Sequence, residues 1–200
     1  MSSVSAGVCH DSGVRILVAT TAGAGHFGPM IPVARACVAV GHDVLVASPA
    51  SFASAVAAAG FEHAPFDDVP AEVMDAVFAG LAEVSREEAN AIVLGEVFGR
   101  LDAQAALPGL SATVGSWRPD VIMRDPCEFA SWAVAERSGI AQAEVAIGIT
   151  AFAEMMRPLL EAPLNELREI AGLGPDLALT RPSHSAVAEH RTSGLRRVGG

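Results

Sequence analysis

A β-branched run followed at once by a glycine-rich turn constrains the fold of this chain more than any other feature. The run RILVAT at residues 15–20 has the continuous apolar pattern of a strand that is buried on both faces. The turn GAGHFG at residues 23–28 comes next, and the pattern then predicts a helix that begins at Pro29 and is closed by Gly41. A buried strand joined to a helix by a short glycine turn is a typical opening unit of a parallel α/β sheet.

Strands and helices continue to alternate along the chain. Further strands are predicted at residues 43–48, 61–65, 120–124 and 142–147, and helices at 51–59, from 85 to about 106, at 127–137 and at 152–171. We therefore predict an α/β fold, a Rossmann-like parallel sheet with helices on both faces, in one domain over residues 15–180. Residues 1–14 are rich in serine and glycine and predict a flexible leader, whereas residues 181–200 lack a regular period and predict an irregular tail.

The composition excludes several classes of enzyme and partner. The chain has no lysine and no tyrosine, so it cannot form a phosphate-loop lysine, a pyridoxal Schiff base or the Tyr-x-x-x-Lys pair of short-chain dehydrogenases. Its formal net charge of −10 argues against binding to nucleic acid or to anionic membrane surfaces. The three cysteines lie far apart, which argues against a disulfide framework and a zinc site and favours a cytoplasmic location.

One uncharged stretch, from Ile16 to Ala34, has the length of a membrane span. Glycine and proline residues interrupt its middle, and the residues before it are a poor start for a signal peptide. We therefore expect no integral membrane contact and no export signal.

The glycine-rich turn fits two kinds of site. It matches the G-x-G-x-x-G pattern of dinucleotide-binding proteins, but the second predicted strand ends at Ala47-Ser48-Pro49, without an acidic residue for a ribose hydroxyl. A dinucleotide-binding helix would also contain Pro29 and Pro32, each removing a hydrogen bond at a cost of up to ~3 kcal/mol. The other interpretation makes His26 a general base, because imidazole titrates near neutral pH and the glycines leave room for a substrate. A histidine that only packs or caps at the strand end remains an alternative.

Asp125 is the second candidate, because it directly follows the fourth predicted strand. If the strand order is 3-2-1-4-5, strands one and four are neighbours about 4.8 Å apart, and Asp125 meets His26 where the winding of the sheet reverses. The carboxylate could then hold the imidazole in one tautomer and stabilise the imidazolium. Since Pro126 follows it, Asp125 could instead be the N-cap of the next helix, and the two roles are compatible.

Two segments together resemble a known family. They are RILVATTAGAGHFGPMIPVARACVAVGHDV at residues 15–44 and RPDVIMRDPCEFASWAVAERSGI at residues 118–140. This pattern resembles bacterial family 1 glycosyltransferases of the GT-B fold, which modify natural products, and the resemblance extends over residues 15–173. The histidine turn and the Arg-Pro-Asp to Asp-Pro segment are more specific than the glycine pattern.

The resemblance implies roles for the candidate residues. His26 would deprotonate a hydroxyl of an apolar small-molecule acceptor, and Asp125 would assist it, in an inverting, metal-independent displacement at the anomeric carbon of a nucleotide sugar. The transferred group would be a hexose or deoxyhexose, the nucleotide sugar is a co-substrate, and neither a cofactor nor a metal ion is implied; the sequence has no Asp-x-Asp pair. The residues expected to contact the acceptor are Gly25, Phe27, Met74, Phe78, Phe98, Phe152 and Met155.

Members of that family carry a second, donor-binding domain that this sequence does not include. The resemblance therefore implies an acceptor-binding N-terminal half, truncated before the donor domain and inactive alone, which uses a nucleotide sugar only with a donor domain supplied in trans. Two other interpretations stay open. One is a non-catalytic acceptor-binding or partner protein derived from this fold, and the other is a nicotinamide-dependent oxidoreductase.

Overall fold

The computed structural model describes residues 13–146, 150–176 and 186–188, with the backbone alone at residues 150–156 and 186–188. The strands are β1 (Arg15–Ala19), β2 (Asp43–Pro49), β3 (Glu62–Phe66), β4 (Val121–Arg124), β5 (Ala141–Val145) and β6 (Ala186–Ala188). The α-helices are α1 (Ala24–Ala39), α2 (Ala53–Ala59), α3 (Ala71–Leu81), α4 (Arg86–Ile92), α5 (Ala103–Trp117), α6 (Ala130–Ser138) and α7 (Thr150–Ile170). A 3-10 turn at Ala50–Phe52 precedes α2, and a π-helical segment at Val93–Asp102 joins α4 to α5.

The strands form one parallel sheet in the order β3-β2-β1-β4-β5-β6. Strand β1 lies between β2 and β4, and its last residue, Ala19, pairs with Ala47 on one side and Arg124 on the other. The first five strands therefore have the order that the meeting of His26 and Asp125 requires, and the winding of the sheet reverses between β1 and β4.

Strand β6 lies inside the segment predicted as an irregular tail, so three residues of that segment are regular structure. The other residues of the predicted tail, and residues 1–12 of the predicted leader, lie outside the described part of the chain.

Two apolar clusters cover the two faces of the sheet, because successive strand side chains point in opposite directions. On one face, Leu17 and Ala19 of β1 pack in a cluster with residues of α5, α6 and α7. On the other face, Ile16 and Val18 pack in a cluster with residues of α1 and α2. The prediction of a parallel α/β sheet with helices on both faces is confirmed.

Prolines lie inside helices where the sequence predicted helix ends or starts. Helix α1 begins at Ala24, not at Pro29, and contains both Pro29 and Pro32. The carbonyls that lose a helical donor belong to residues four before each proline, Gly25 and Gly28, and a Cβ added to either glycine would meet nothing within 4 Å. Burial of the opposite side of the helix offsets the two missing hydrogen bonds, since tertiary packing outweighs local propensity.

This start of α1 removes one argument against a dinucleotide turn, since the helix begins where such a turn would place it. The argument that stands is the end of β2, at Ser48 and Pro49, where no acidic residue is available for a ribose hydroxyl.

One long helical run crosses the carboxyl edge of the sheet. Ser85 begins it as predicted, with its hydroxyl accepting the N–H of Glu88 at 3.2 Å. The run then continues past the predicted end near residue 106, through Pro108, to Trp117. Its middle is the π-helical segment, whose i to i+5 hydrogen bonding changes which residues share a face.

Two glycines of the π-helical segment allow α7 to approach closely. A Cβ on Gly95 would lie 3.0 Å from the carbonyl oxygen of Leu159, and one on Gly99 would lie 3.1 Å from Pro163 Cβ. This contact fixes the height of the segment above the sheet, and with it the positions of Phe98 and Asp102.

None of the described helices combines sufficient length with sufficient apolar character to span a membrane.

Candidate functional site

His26 lies in the first turn of α1, directly above the end of β1. Gly23 precedes the helix with a φ of 125°, a left-handed backbone conformation that favours glycine. Its carbonyl accepts the N–H groups of His26 and Phe27 at 3.2 and 3.0 Å, which starts the helix. The side chain of His26 keeps 20% of its surface exposed, so the imidazole is open to a ligand.

The imidazole of His26 is hydrogen-bonded to the carboxylate of Asp125. Nδ1 of His26 lies 3.2 Å from Oδ1 of Asp125. Asp125 follows β4 directly, and its backbone N–H donates to the carbonyl of Ala19 at 3.1 Å, which continues the pairing of β1 with β4 beyond the strand ends. The two side chains therefore meet where the winding of the sheet reverses, as expected for this strand order.

Backbone donors fix the carboxylate of Asp125, which is fully buried. Oδ2 accepts the N–H of Thr21 at 2.8 Å, and Oδ1 accepts the N–H of Cys127 at 2.8 Å. With both oxygens occupied, the carboxylate holds one orientation towards the imidazole.

The local electrostatics favour the protonated imidazole. The hydrogen bond to Asp125 raises the pKa of His26 above its ordinary value, and partial burial opposes this effect. The charges of Asp125 and Asp102 act in the same direction as the hydrogen bond. A proton taken from a substrate is thus stabilised on His26.

The alternative role of Asp125 as N-cap of the next helix is wrong. Helix α6 begins at Ala130, several residues later. The N–H groups of its first turn, from Ala130 and Ser131, are instead accepted by the carboxylate of Glu128 at 3.0 and 2.9 Å. Asp125 is therefore free to orient the imidazole while it stabilises the short turn that leads to Cys127.

A cavity of about 300 Å³ lies beside the two residues, at the carboxyl edge of the sheet. Its walls come from the loops after β1, β3 and β4, from α3, and from the π-helical segment with the start of α5. Phe98 joins the cavity to the imidazole, because it lines the cavity and its ring centroid is 5.2 Å from that of His26. Thr21 also lines the cavity and bonds Asp125.

Three of the residues predicted to contact an acceptor lie in the wall of this cavity, and two others have side chains outside the described ones. Met74, Phe78 and Phe98 line the cavity, which leaves their contact with an acceptor a prediction. The side chains of Phe152 and Met155 lie outside the described ones, so their placement is not part of the site described here.

The structure corrects the placement of Phe27 at the acceptor, whereas contact of Gly25 with an acceptor stays a prediction. Gly25 is exposed and does not line the cavity. Phe27 is buried in the core and packs edge-on against the rings of Phe52 and Phe61, 5.9 and 6.4 Å away. Successive helical residues are turned by about 100°, so the residue after His26 faces the sheet rather than the crevice.

Two carboxyl groups in the cavity wall were missed by the sequence analysis. Burial raises the pKa of Asp102 to about 6, with the nearby His26 opposing and Asp125 adding to the shift. Burial raises the pKa of Glu128 to about 7, against the hydrogen bonds from Ser131. Asp102 lies within a predicted helix, but it is the π-helical segment ending at this residue that brings it to the cavity wall. Glu128 gave a weak signal, three residues after Asp125 and in the first turn of the helix predicted at residues 127–137, whereas the observed helix begins two residues after it.

Three potential metal ligands come together at the site. Atoms of His26, Asp125 and Cys127 lie within 4.8 Å of one another. Burial raises the pKa of the Cys127 thiol to about 12, so it is protonated near neutral pH and is a poor ligand. Both oxygens of Asp125 are already bonded to backbone N–H groups, so this set fits a metal ion poorly.

Sequence comparisons connect this geometry with a known family. Residues 35–180 match the family profile described as erythromycin biosynthesis protein CIII-like, N-terminal domain. The chain is 30% identical over 197 residues to a 4'-demethylrebeccamycin synthase of Lentzea aerocolonigenes, covering 93% of this chain and 41% of that protein. It is 32% identical over 175 residues to an L-demethylnoviosyl transferase of Streptomyces niveus, covering 86% of this chain and 44% of that protein.

Solved structures show the same fold. The glycosyltransferase VinC in complex with DTDP superposes with a TM-score of 0.64 at 20% identity, over 88% of this chain and 49% of that one. The glycosyltransferase SsfS6 of Streptomyces sp. SF2575, complexed with thymidine diphosphate, also gives a TM-score of 0.64, at 25% identity over 83% of this chain and 48% of that one. The chain thus spans less than half the length of these relatives.

Proposed function

Because the chain belongs to the family of erythromycin biosynthesis protein CIII-like N-terminal domains, we propose that it is the acceptor-binding half of an inverting, nucleotide-sugar-dependent glycosyltransferase. In this proposal it helps to transfer a hexose or deoxyhexose to a hydroxyl group of an apolar small molecule. The names of the relatives, a synthase and a transferase of natural products, support this class of reaction.

The observation that carries the proposal is the His26–Asp125 pair beside an apolar cavity. Since Nδ1 of His26 faces the carboxylate, the ring proton belongs on Nδ1 and the lone pair of Nε2 is available. An acceptor hydroxyl that reaches Nε2 from the cavity can then lose its proton to the imidazole.

The proposed step balances without a covalent enzyme intermediate. The acceptor oxygen forms a bond to the anomeric carbon, the bond from that carbon to the diphosphate oxygen breaks, and the nucleoside diphosphate leaves with the electron pair. The hydroxyl proton moves to Nε2 of His26, where Asp125 stabilises the imidazolium. Attack opposite the leaving group inverts the anomeric carbon. The step uses no metal ion, so we expect transfer to persist in excess EDTA.

The donor nucleotide sugar needs residues beyond those described here. The curated relatives are more than twice as long as the portion that this chain matches. We propose that a donor-binding domain, in the same polypeptide or in trans, places the anomeric carbon over His26. Without it the reaction loses the advantage of proximity, worth ~7–11 kcal/mol in favourable cases, so we expect negligible transfer by these 200 residues alone.

We also propose that the protein works in the cytoplasm, since Cys37 and Cys127 are free thiols.

A second candidate function, a non-catalytic acceptor-binding or partner protein, is favoured by one observation. The cavity lies within the described residues of this chain, so a small molecule can bind there whether or not transfer follows.

Transfer by a reconstituted pair tests the proposal. The chain is joined to the C-terminal half of the 4'-demethylrebeccamycin synthase, and release of thymidine diphosphate from thymidine diphosphate sugars is measured with a panel of phenolic acceptors. His26→Ala should lower the rate by roughly 10²-fold or more, as expected for loss of a general base.

The matched control is His42→Ala, which removes an imidazole at the opposite edge of the sheet, where it accepts the N–H of Val14 at 3.3 Å. It should leave the rate within a factor of about three, because it does not touch the reacting groups. If the wild-type pair binds acceptors but transfers nothing, the non-catalytic function is correct instead. If His26→Ala transfers as fast as the wild type, His26 is not the general base.

A further inference from the structure

The cavity beside His26 has acidic groups in its wall and no cationic ones among the described residues. Four carboxylic side chains line it, those of Asp67, Asp68, Asp102 and Glu128. The rest of the wall is largely apolar, and no arginine or histidine side chain lines it in the described ranges. The chain has no lysine that could supply a cation.

Two of these carboxylates already have partners within the protein. Asp68 accepts the backbone N–H of Ser51 at 2.9 Å and is also bonded by the Ser51 hydroxyl. Glu128 accepts the two N–H groups at the start of α6. The carboxylates of Asp68 and Glu128 therefore stabilise the local backbone of the cavity wall.

Asp102 differs from them, because within the described part of the chain it accepts no hydrogen bond and forms no ion pair. It is half-buried at the end of the π-helical segment, four residues after Phe98, whose ring contacts His26. A half-buried carboxylate that accepts no hydrogen bond is costly even with the imidazole of His26 nearby, and a cation bound next to it offsets that cost.

A second polar group of the same wall also lacks a partner. Thr21 is 4% exposed, and its side-chain hydroxyl has no hydrogen-bond partner among the described residues. Buried polar groups are normally hydrogen-bonded, so an unpaired one in a cavity wall indicates a ligand that supplies the missing partner. Asp102 and Thr21 both line the cavity.

We propose that Asp102 is a specificity-determining residue that binds a protonated amino group of the acceptor, so that the cavity selects apolar, amine-bearing acceptors and rejects anionic ones. The inference rests on the proposed function and adds the class of acceptor. In this arrangement the acceptor presents a hydroxyl to His26 and an ammonium group to Asp102, and its apolar body lies against Met74, Phe78 and Phe98.

Three probes that differ in one group test the selectivity. They are 2-naphthols that carry an aminomethyl, a hydroxymethyl or a carboxylate group at the same ring position, and their dissociation constants for the 200-residue chain are measured calorimetrically at pH 7.5. The aminomethyl probe should bind roughly tenfold more tightly than the hydroxymethyl probe, and the carboxylate probe most weakly. Equal binding of the aminomethyl and carboxylate probes would overturn the inference.

Asp102→Asn assigns the selectivity to one residue, because it removes the charge and keeps the shape. The preference for the aminomethyl probe should fall to less than about threefold, while the hydroxymethyl probe binds as before. Asp75→Asn makes the same change on an exposed position of α3 that does not line the cavity, and it should keep the full preference. Asp102→Ser, with its fold checked by circular dichroism, is the second variant. A preference that survives in both Asp102 variants contradicts the role of Asp102.

The reconstituted transferase separates this inference from the proposed function. Transfer to the naphthol hydroxyl without any preference for the amine would overturn the inference and leave the function intact. An amine preference that depends on Asp102, without any transfer, would support the binding role and overturn the glycosyltransferase. Failure of all three probes to bind the wild-type chain would overturn the inference, while transfer to other phenols would still support the function.

Discussion

The imidazole of His26 and the carboxylate of Asp125 are separated by 99 residues in the sequence and by 3.2 Å in the structure. The two strands that lead to them, β1 and β4, are paired in register up to Ala19 and Arg124. The pair is therefore a direct product of the sheet topology.

Asp125→Asn should lower the pKa of His26, because it removes the hydrogen bond and the charge that raise it, and partial burial then dominates. The ring pKa is measured by following the imidazole signals of His26 in NMR titrations. In the wild type we expect it above the ordinary value of 6.5, and in Asp125→Asn below that of the wild type.

Asp120→Asn is the control for this titration, because Asp120 precedes the same strand at its other end, where it accepts the N–H of Arg15 at 2.8 Å. It should leave the pKa of His26 unchanged. Since the neutral imidazole is the base, the rate of the reconstituted transferase should fall as the pH drops through the pKa of His26. An unchanged pKa in Asp125→Asn would contradict the role assigned to the pair.

Glu128→Gln should make the stability of the domain less dependent on pH. Burial raises the pKa of Glu128 from 4.5 to about 7, so the folded state holds the proton more tightly than the unfolded state. This contribution to the free energy of unfolding is fully present below about pH 4.5 and is lost as the pH rises through about 7. It amounts to on the order of 3 kcal/mol, and glutamine does not titrate.

Urea unfolding at pH 5.5 and pH 8 measures this effect. The wild type should lose more stability between these pH values than Glu128→Gln does. Glu83→Gln, on an exposed position, should behave as the wild type. Identical pH dependence in the wild type and Glu128→Gln would show that the carboxyl group keeps its ordinary pKa.

Gly109→Ala should destabilise the domain, whereas Gly115→Ala in the same helix should not. A Cβ on Gly109 would lie 2.6 Å from Cβ and 2.9 Å from Cα of Phe66, so helix and strand must move apart, at a cost of roughly 1–3 kcal/mol. A Cβ on Gly115 would meet nothing within 4 Å, and alanine there should add roughly 0.5–1 kcal/mol through helix propensity. Thermal melting of the two variants checks both signs, and a stable Gly109→Ala would mean that α5 packs less closely on β3 than described.

Phe27→Leu and Phe78→Leu should have opposite effects on folding and binding. Phe27 is a core residue, so its replacement should cost about 1 kcal/mol of stability and leave the affinity for naphthols unchanged. Phe78 is 51% exposed and lines the cavity, so its replacement should change stability by less than about 0.5 kcal/mol and weaken naphthol binding. If Phe27→Leu instead weakened naphthol binding and Phe78→Leu did not, Phe27 would contact the acceptor after all.

The sequence was sufficient to predict that His26 and Asp125 could meet, because their positions follow from strand ends and strand order. It was insufficient for Phe27, since a helix that was expected to begin at Pro29 begins at Ala24 and turns this ring towards the sheet. Asp102 was missed for a related reason. Asp102 lies within a predicted helix, but the π-helical segment at Val93–Asp102 decides which residues face the cavity, and the sequence pattern did not indicate that segment.

Gly95 and Gly99 connect the back of the cavity wall with α7, through Leu159, Leu160 and Pro163. A bulkier side chain at Leu160 or Pro163 pushes on the segment that carries Phe98 and Asp102 without entering the cavity. Substrate range can thus be tuned by residues that no ligand ever contacts, and a search for altered selectivity should include this outer layer together with the wall itself.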